Sequence, residues 1–151
     1  MACEIRPALE ADAESISAVI LEALRETNAR DYAPHVIARV AESFSPAGVR
    51  ELLRGRTVFV AIDGGNIVGT ASLDDAVVRT VFVSPSKQRR GIGACLMAAI
   101  EQTATARGIT SLSVPSSITA QGFYEKLGFT AVKDSFHGDE RTIVMERRLT
   151  S

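Results

Sequence analysis

The sequence predicts an α/β fold in the loose sense, or an α+β fold, in which helices pack on a mixed sheet. Two patterns favour this class. Three strand patterns follow one another closely over residues 57–83, and strands and helices alternate after residue 90. The length of 151 residues fits a single domain, residues 1–151, and leaves no room for a second independent core.

The first third of the chain is predicted to be mainly helical after one short strand. Pro7 is expected to end that strand and Asp12 to cap the first helix, in which apolar residues recur at helical spacing. Ser45 followed by Pro46 is a favoured order at a helix start. The expected elements are a strand at residues 4–6, a helix at 12–26, a connecting loop at 27–34, and helices at 35–43 and 46–54.

The middle of the chain is predicted to form a three-stranded meander. The segment Asp63-Gly64-Gly65-Asn66 between two apolar runs is a strong hairpin signal, and Asp74-Asp75 marks a second turn. The expected strands are residues 57–62, 67–73 and 77–83.

The last part of the chain alternates between helices and strands. The apolar spacing becomes helical from residue 91, and Gly108 and Gly128 are expected to stop two helices at their C-terminal ends. The expected elements are helices at residues 91–107 and 118–127, and strands at 111–114, 129–133 and 141–147.

The overall charge favours neither nucleic acid nor a membrane surface as partner. The net charge is −1 and the isoelectric point is about 6.1. Basic residues gather locally instead, in the segment Lys87-Gln88-Arg89-Arg90. Such a cluster suits a small anionic ligand better than a polymer, and a solvated charged loop is the alternative interpretation.

Cysteine usage and the N-terminal sequence indicate a soluble, cytoplasmic protein without a metal site. Cys3 and Cys95 lie far apart, and no Cys/His cluster with metal-ligand spacing occurs. The longest uninterrupted apolar stretch, residues 94–100, is too short to span a bilayer, and no leader pattern is expected.

A strand followed by a basic, glycine-bearing loop that opens a helix is the most informative motif. The strand ends in Val81-Phe82-Val83, and the loop Gln88-Arg89-Arg90-Gly91-Ile92-Gly93-Ala94 leads into the helix. Free backbone amides and the positive end of the helix dipole make such a junction an anion site. Its two glycines do not match the dinucleotide fingerprint, and it lacks the ending of a P-loop.

A second motif lies downstream, at residues 120–129, where Phe123-Tyr124 begins a short apolar pattern before Gly128. Alone, it is typical of a helix that contributes to the core, with Tyr124 at the core edge. Together with the glycine loop, in this order and separated by one helix and one strand, it resembles the GNAT superfamily of acetyl-coenzyme-A-dependent N-acetyltransferases. The resemblance is strong over residues 57–134 and weak over 4–56.

The resemblance implies a mixed, mostly antiparallel sheet of six to seven strands with a splayed central pair, flanked by about four helices. It also implies acetyl-CoA as cosubstrate, no metal, and direct attack of an amine on the thioester. Tyr124 is then the catalytic general acid, because a phenol and a thiol have pKa values close enough for proton donation. The implied cofactor-binding residues are Val81, Phe82, Val83, Gln88, Arg89, Arg90, Gly91, Ile92, Gly93, Ala94, Ser117 and Phe123.

The chain departs from the resemblance at two places. Ser117 stands where many relatives have Asn, although its hydroxyl can still bond to the pantetheine arm. The strand 77–83 lacks the carboxylate that some relatives use as a base, and it carries Arg79 and Thr80 instead. Arg79 either faces the acceptor groove, where it would favour a carboxylate-bearing substrate, or is a surface cation of the sheet, which we favour. The candidate bases are Asp31, His35, Asp74, Asp75, His137 and Glu140, or a water chain.

The sequence leaves the acceptor open. The segments expected to form its pocket, residues 27–53 and 136–140, mix polar and aromatic side chains, which suits a small amine or an amino acid and also fits the N-terminus of a peptide. Two alternatives to an enzyme are a coenzyme-A-binding sensor of the same fold and an interaction domain that binds no coenzyme. A homodimer is possible, but no interface stripe is recognisable.

Overall fold

The computed structural model describes residues 4–88 and 90–149, which form a sheet with helices on both faces. The strands are β1 (Glu4–Pro7), β2 (Thr57–Asp63), β3 (Asn66–Asp74), β4 (Val77–Val83), β5 (Ser111–Ser117), β6 (Thr130–His137) and β7 (Glu140–Arg148). The helices are α1 (Ala13–Glu26), α2 (Pro34–Glu42), α3 (Pro46–Gly55), α4 (Ile92–Ala106) and α5 (Gln121–Lys126). Short 3-10 turns occupy Glu10–Asp12, Asn28–Arg30 and Pro85–Lys87.

The sheet has the strand order β1-β2-β3-β4-β5-β7-β6, and every neighbouring pair except β4–β5 is antiparallel. The predicted mixed, mostly antiparallel sheet is therefore confirmed, and residues 4–88 and 90–149 hold seven strands and five α-helices where about four helices were expected. Each predicted strand and helix is present. The largest boundary differences are in β5 and β6, which end at Ser117 and His137 instead of at 114 and 133, and in α5, which begins at Gln121 instead of at 118. The two strands are longer because β7 pairs with each of them from its first residue to its last.

Asp12 stands at the start of α1, but its predicted role as a helix cap is wrong. Its carboxylate accepts the Leu9 amide at 2.7 Å and both terminal nitrogens of Arg6, at 2.8 and 3.1 Å. The carboxylate is thereby turned back toward the preceding 3-10 turn and β1. The Ser45 prediction is confirmed, because its hydroxyl accepts the Gly48 amide at the start of α3.

Two hydrophobic cores lie on opposite faces of the sheet. One core packs α4 and α5 against the sheet, and its fully buried side chains include Leu96, Ile100 and Met145. The other core packs α1, α2 and α3 on the opposite face, around Ile16, Ile20 and Val60. Burial of both faces fixes the register of the central strands, since a one-residue slip would exchange the two sets of side chains.

The parallel pair β4 and β5 separates soon after it begins. The two strands are paired only at Val77 and Ser113, and the Ser113 amide donates to the Ala76 carbonyl at 3.0 Å. Beyond this point each strand has an unpaired edge. Pro115 suits that position, because a proline nitrogen cannot donate to a neighbouring strand. The predicted splayed central pair is thus present, and it opens a wedge in the middle of the sheet.

None of the helices in residues 4–88 and 90–149 is long and apolar enough to cross a membrane. Cys95 is a free, partly buried thiol on α4, and Cys3 lies outside the described residues.

Candidate active site

The wedge between β4 and β5 widens into a cavity of about 1010 Å³. Its wall on one side is formed by β4, the start of α4, β5 and α5. Its other wall is formed by α1, α2, the C-terminal end of α3 and the β6–β7 turn. We call these walls the donor half and the acceptor half. The acceptor half is lined by Asn28, Tyr32, Val36, Val40, Phe44, Arg56, His137 and Glu140, among others.

Strand β4 carries a bulge where it borders the wedge. Thr70 pairs with Phe82 and Ser72 with Arg79, so that Thr80 and Val81 together oppose a single residue of β3. Thr80 has a φ of 55°, a left-handed conformation that is strained for a β-branched residue. A bulge of this kind re-aims the backbone groups beside it. The bulge meets the condition under which the amides of residues 81–83 can hold a developing oxyanion.

The glycine loop forms the start of α4 at the mouth of the wedge. Gly91 is the N-cap residue of α4, with a φ of 79°, and a Cβ atom there would meet no other atom within 4 Å. The Cys95 amide makes the first helical hydrogen bond, to the Gly91 carbonyl at 3.0 Å. The preceding amides of residues 92–94 have no partner inside the helix. They line an open, positively polarised site that suits a phosphate group.

Side chains before Gly91 tie this loop to neighbouring elements. The Gln88 amide nitrogen donates to the Val83 carbonyl at 3.2 Å and to the Thr27 hydroxyl at 3.3 Å. Lys87 forms an ion pair with Asp63 at 3.1 Å. Arg90 is exposed and does not line the cavity, and the predicted residue Arg89 lies outside the described residues. The remaining predicted cofactor-binding residues all line the cavity.

Gly93 allows the ring of Phe123 to lie directly on the first turn of α4. A Cβ atom at Gly93 would stand 2.9 Å from Cε1 and 3.0 Å from Cζ of that ring. The Phe123 ring also packs edge-to-face against Tyr124, with the ring centroids 5.1 Å apart. This close approach joins the two sequence motifs across the donor half.

Replacing Gly93 with alanine should therefore displace the Phe123 ring toward the cavity. We expect the affinity for coenzyme A, measured by isothermal titration, to fall by about threefold to tenfold, or about 1 kcal/mol. In a Phe123→Ala background the same change should have almost no further effect, because the contact is gone. Additive effects of the two substitutions would contradict this coupling.

Tyr124 lies at the centre of the donor half and is only 4% exposed. Its ring packs against Phe123 and Phe129, while the residue still lines the cavity. No hydrogen bond joins its hydroxyl to any of the described residues, and the hydroxyl oxygen is still accessible from the cavity. Burial raises the pKa of the phenol well above its ordinary value, so the group stays protonated at neutral pH. It can donate one hydrogen bond into the wedge.

Ser117, at the end of β5, also lines the donor half. Its hydroxyl oxygen accepts the Ala120 amide at 3.1 Å, which supports the turn leading into α5. The hydroxyl hydrogen is still available to a ligand, because a serine hydroxyl both accepts and donates.

The cavity brings together only two of the candidate bases. His137 and Glu140 line the acceptor half, at the two ends of the β6–β7 turn. Glu140 lies 3.7 Å from Arg39 of α2. The other four candidates are engaged or placed elsewhere: Asp31 accepts from Thr119, His35 pairs with Asp139, Asp74 pairs with Arg79, and Asp75 is exposed in its turn.

The acceptor half is closed by contacts between α2 and the β6–β7 turn. His35 meets Asp139 at 2.8 Å, and Arg39 donates to the His137 carbonyl at 2.9 Å. Tyr32, just before α2, donates to the Arg141 carbonyl at 2.6 Å and accepts the Ile118 amide at 2.8 Å. Tyr32 thus connects three segments that surround the wedge.

Because both hydrogen bonds of Tyr32 are lost in Tyr32→Phe, this variant should be less stable by about 1–2 kcal/mol, which lowers Tm by roughly 3–6 °C. The Ile118 amide would then lack its partner. Thermal unfolding followed by circular dichroism measures the change. An unaltered Tm would show that the bridge adds nothing to stability.

Comparison with known proteins identifies the fold and its family. The family model for the acetyltransferase (GNAT) domain matches residues 28–147, which is most of the chain. The chain belongs to the GNAT family. The family predicted from the two motifs is therefore confirmed, and so is the enzyme class of acetyl-CoA-dependent N-acetyltransferases.

Individual relatives of this GNAT domain agree with that assignment. The uncharacterized N-acetyltransferase YafP of Escherichia coli strain K12 is 29% identical over 130 residues, which cover 86% of this chain and 83% of YafP. A GCN5-related N-acetyltransferase from Rhodopseudomonas palustris has a TM-score of 0.94 at 26% identity, covering 99% of this chain and 97% of its own. The PaiA N-acetyltransferase of Thermoplasma acidophilum, solved in complex with coenzyme A, has a TM-score of 0.84 at 20% identity, with 99% and 100% covered.

Two features of the GNAT site were not predicted from the sequence. Arg79 lines the cavity, whereas the sequence favoured a surface cation at this position. Its charge is paired with Asp74 at 3.3 Å. Arg56, at the end of α3, also lines the acceptor half and was not singled out at all. Its Nη1 donates to the Thr80 hydroxyl at 3.1 Å and so braces the strained residue of the bulge. No local pattern marks this contact, which joins residues in different elements.

Proposed function

We propose that this GNAT domain transfers the acetyl group of acetyl-CoA to a primary amine of a small molecule or peptide. The observation that carries the proposal is the convergence of three features on one cavity: the β4 bulge, the open amides at the start of α4, and the hydroxyl side of Tyr124. Acetyl-CoA supplies the activated acyl group, and the protein supplies position and charge.

The donor half provides matched contacts for the parts of the cosubstrate. The amides of residues 92–94, at the positive end of the α4 dipole, hold the pyrophosphate. The unpaired edge of β4 offers backbone donors and acceptors to the pantetheine arm, in the manner of an added strand. The amides beside the bulge stabilise the negative charge that develops on the thioester oxygen.

The acceptor half brings the amine to the thioester carbon. The neutral amine attacks this carbon, the new C–N bond forms and the C–S bond breaks. Glu140 or His137, directly or through water, takes the proton that the amine loses. Tyr124 donates to the departing sulfur, and the products are an acetylated amine and the free thiol of coenzyme A.

The test is acetyl-CoA turnover, followed by release of free thiol, against amines, polyamines, amino acids, aminoglycosides and peptides. The proposal predicts turnover with at least one class and protection of the protein against thermal unfolding by acetyl-CoA. Protection without thiol release from any class would favour a coenzyme-A-binding sensor instead. Absence of both would overturn the assignment of the wedge to coenzyme A.

A cytoplasmic location, a possible homodimer and the lack of a nucleic-acid or membrane partner stay predictions of the sequence.

A further inference from the structure

A partly buried cation in the acceptor half has no anionic partner in the described part of the chain. Arg56 donates from Nη1 to the hydroxyls of Thr80, at 3.1 Å, and Ser72, at 3.4 Å. Both partners are neutral, and Asp74, whose charge acts on Arg56, is ion-paired with Arg79 instead. A guanidinium has five N–H donors, so most donors of Arg56 are available to a ligand.

The charges on the cavity wall also indicate that Arg56 lacks a compensating anion. Among the described residues the lining includes four Lys or Arg side chains and one carboxylate, Glu140. That carboxylate lies beside Arg39, and Lys87 is paired with Asp63. Burial, and then the neighbouring charge of Arg79, lower the pKa of Arg56, as expected for a cation whose charge is not compensated.

The position of Arg56 relates this charge to the site of acetyl transfer. Thr80, which accepts from Arg56, directly precedes Val81, and both residues belong to the bulge and line the cavity beside the proposed thioester site. A carboxylate bound to the free edge of the guanidinium would lie about 3 Å from its nitrogens. An amino group only a few bonds from that carboxylate would then lie near the bulge.

We propose that Arg56 binds a carboxylate of the acceptor, and that the acceptors are small amines whose amino group lies close to a carboxylate, as in an amino acid. The inference rests on the proposed acetyl transfer and adds the chemical class of the acceptor. The planar guanidinium can bind both carboxylate oxygens at once, which positions the acceptor as well as attracting it.

The experiment compares common L-amino acids with their carboxamides as acceptors, using thiol release by the wild type and by Arg56→Gln. We expect the wild type to prefer the free acids. In Arg56→Gln, kcat/KM for the acids should fall about tenfold to hundredfold, mainly through KM, while that for the carboxamides should change by less than about threefold. The matched control is Arg54→Gln on the same helix, whose exposed side chain pairs with Glu51 and Glu10. This control should leave both kinds of acceptor unaffected.

Other outcomes separate the competing explanations. Equal losses on acids and carboxamides would show that Arg56 only braces Thr80, and would overturn the inference. Turnover by the wild type without preference for acids would also overturn it and leave the proposed function intact. Absence of turnover with every amine overturns the proposed function itself. Should Arg56→Gln fail to fold, Arg56→Lys retains the charge without the planar fork, and it should raise KM for the acids alone.

Discussion

Tyr124→Phe is expected to lower kcat by about tenfold or more, while the affinity for coenzyme A stays unchanged. The variant removes one hydroxyl, which would donate to the departing sulfur, and retains the ring that packs against Phe123 and Phe129. Since no described residue forms a hydrogen bond with this hydroxyl, the free energy of unfolding should change by less than about 1 kcal/mol. Steady-state kinetics at saturating substrates and isothermal titration measure the two effects separately.

The pH dependence adds a second test of Tyr124. Burial raises the pKa of its phenol above the ordinary value of 10.0, so the acid form persists to higher pH than in a free tyrosine. The ratio of wild-type to variant kcat should therefore stay constant from about pH 6 to about pH 10. A ratio that falls toward one as the pH rises through this range would show that the phenol loses its proton within the range. An unchanged kcat throughout would remove Tyr124 from the mechanism.

The raised pKa also alters the expectation based on the sequence. A free phenol and a thiol have similar acidities, which suggested full proton transfer. In the buried setting the phenol is the weaker acid, so we expect it to stabilise the developing thiolate mainly by a hydrogen bond before the proton moves. Position inside the wedge, rather than matched acidity, then accounts for its effect.

Gly91→Glu should weaken coenzyme A binding by about tenfold or more relative to Gly91→Gln. The φ of 79° at Gly91 imposes a strain of about 1–2 kcal/mol on either side chain, so both variants carry the same backbone penalty. Neither Cβ would meet another atom within 4 Å. The two variants differ only in one negative charge placed beside the proposed pyrophosphate site.

Titration of both variants with coenzyme A, first at low salt and then at raised salt, measures the effect of that charge. The difference in affinity should shrink at high ionic strength, because a partly exposed repulsion is screened. Equal affinities in Gly91→Glu and Gly91→Gln would contradict the assignment of this loop to an anion. A loss in both variants relative to wild type, by itself, would report only the backbone strain.

Local signals allowed most of the fold to be predicted. Turn glycines, helical periodicity and the Ser45-Pro46 start located each strand and helix, since these features depend on neighbours in the chain. The role of Asp12 was mistaken because its side chain has a better partner in Arg6, which the local pattern does not include. Boundaries of β5 and β6 depended on pairing with β7, a contact that no local pattern shows.

The candidate site divides in the same way. The donor half is built from two motifs, each of which is a nearly continuous stretch of the sequence. Of the cofactor-binding residues predicted from these motifs, all that the structure describes line one cavity, except Arg90. The acceptor half is assembled from α1, α2, α3 and the β6–β7 turn, so its chemistry depends on tertiary contacts. Arg56 illustrates the point, because its partner Thr80 lies 24 residues further along the chain. The strain at Thr80 is likewise set by the bulge and not by its own sequence.

The crystal structure of the protein with coenzyme A tests the central claim most directly. It should show the pyrophosphate on the amides of residues 92–94, the pantetheine arm along the free edge of β4, and the sulfur within hydrogen-bond distance of the Tyr124 hydroxyl. Coenzyme A bound elsewhere, or a wedge closed by pairing of β4 with β5 along their length, would contradict it.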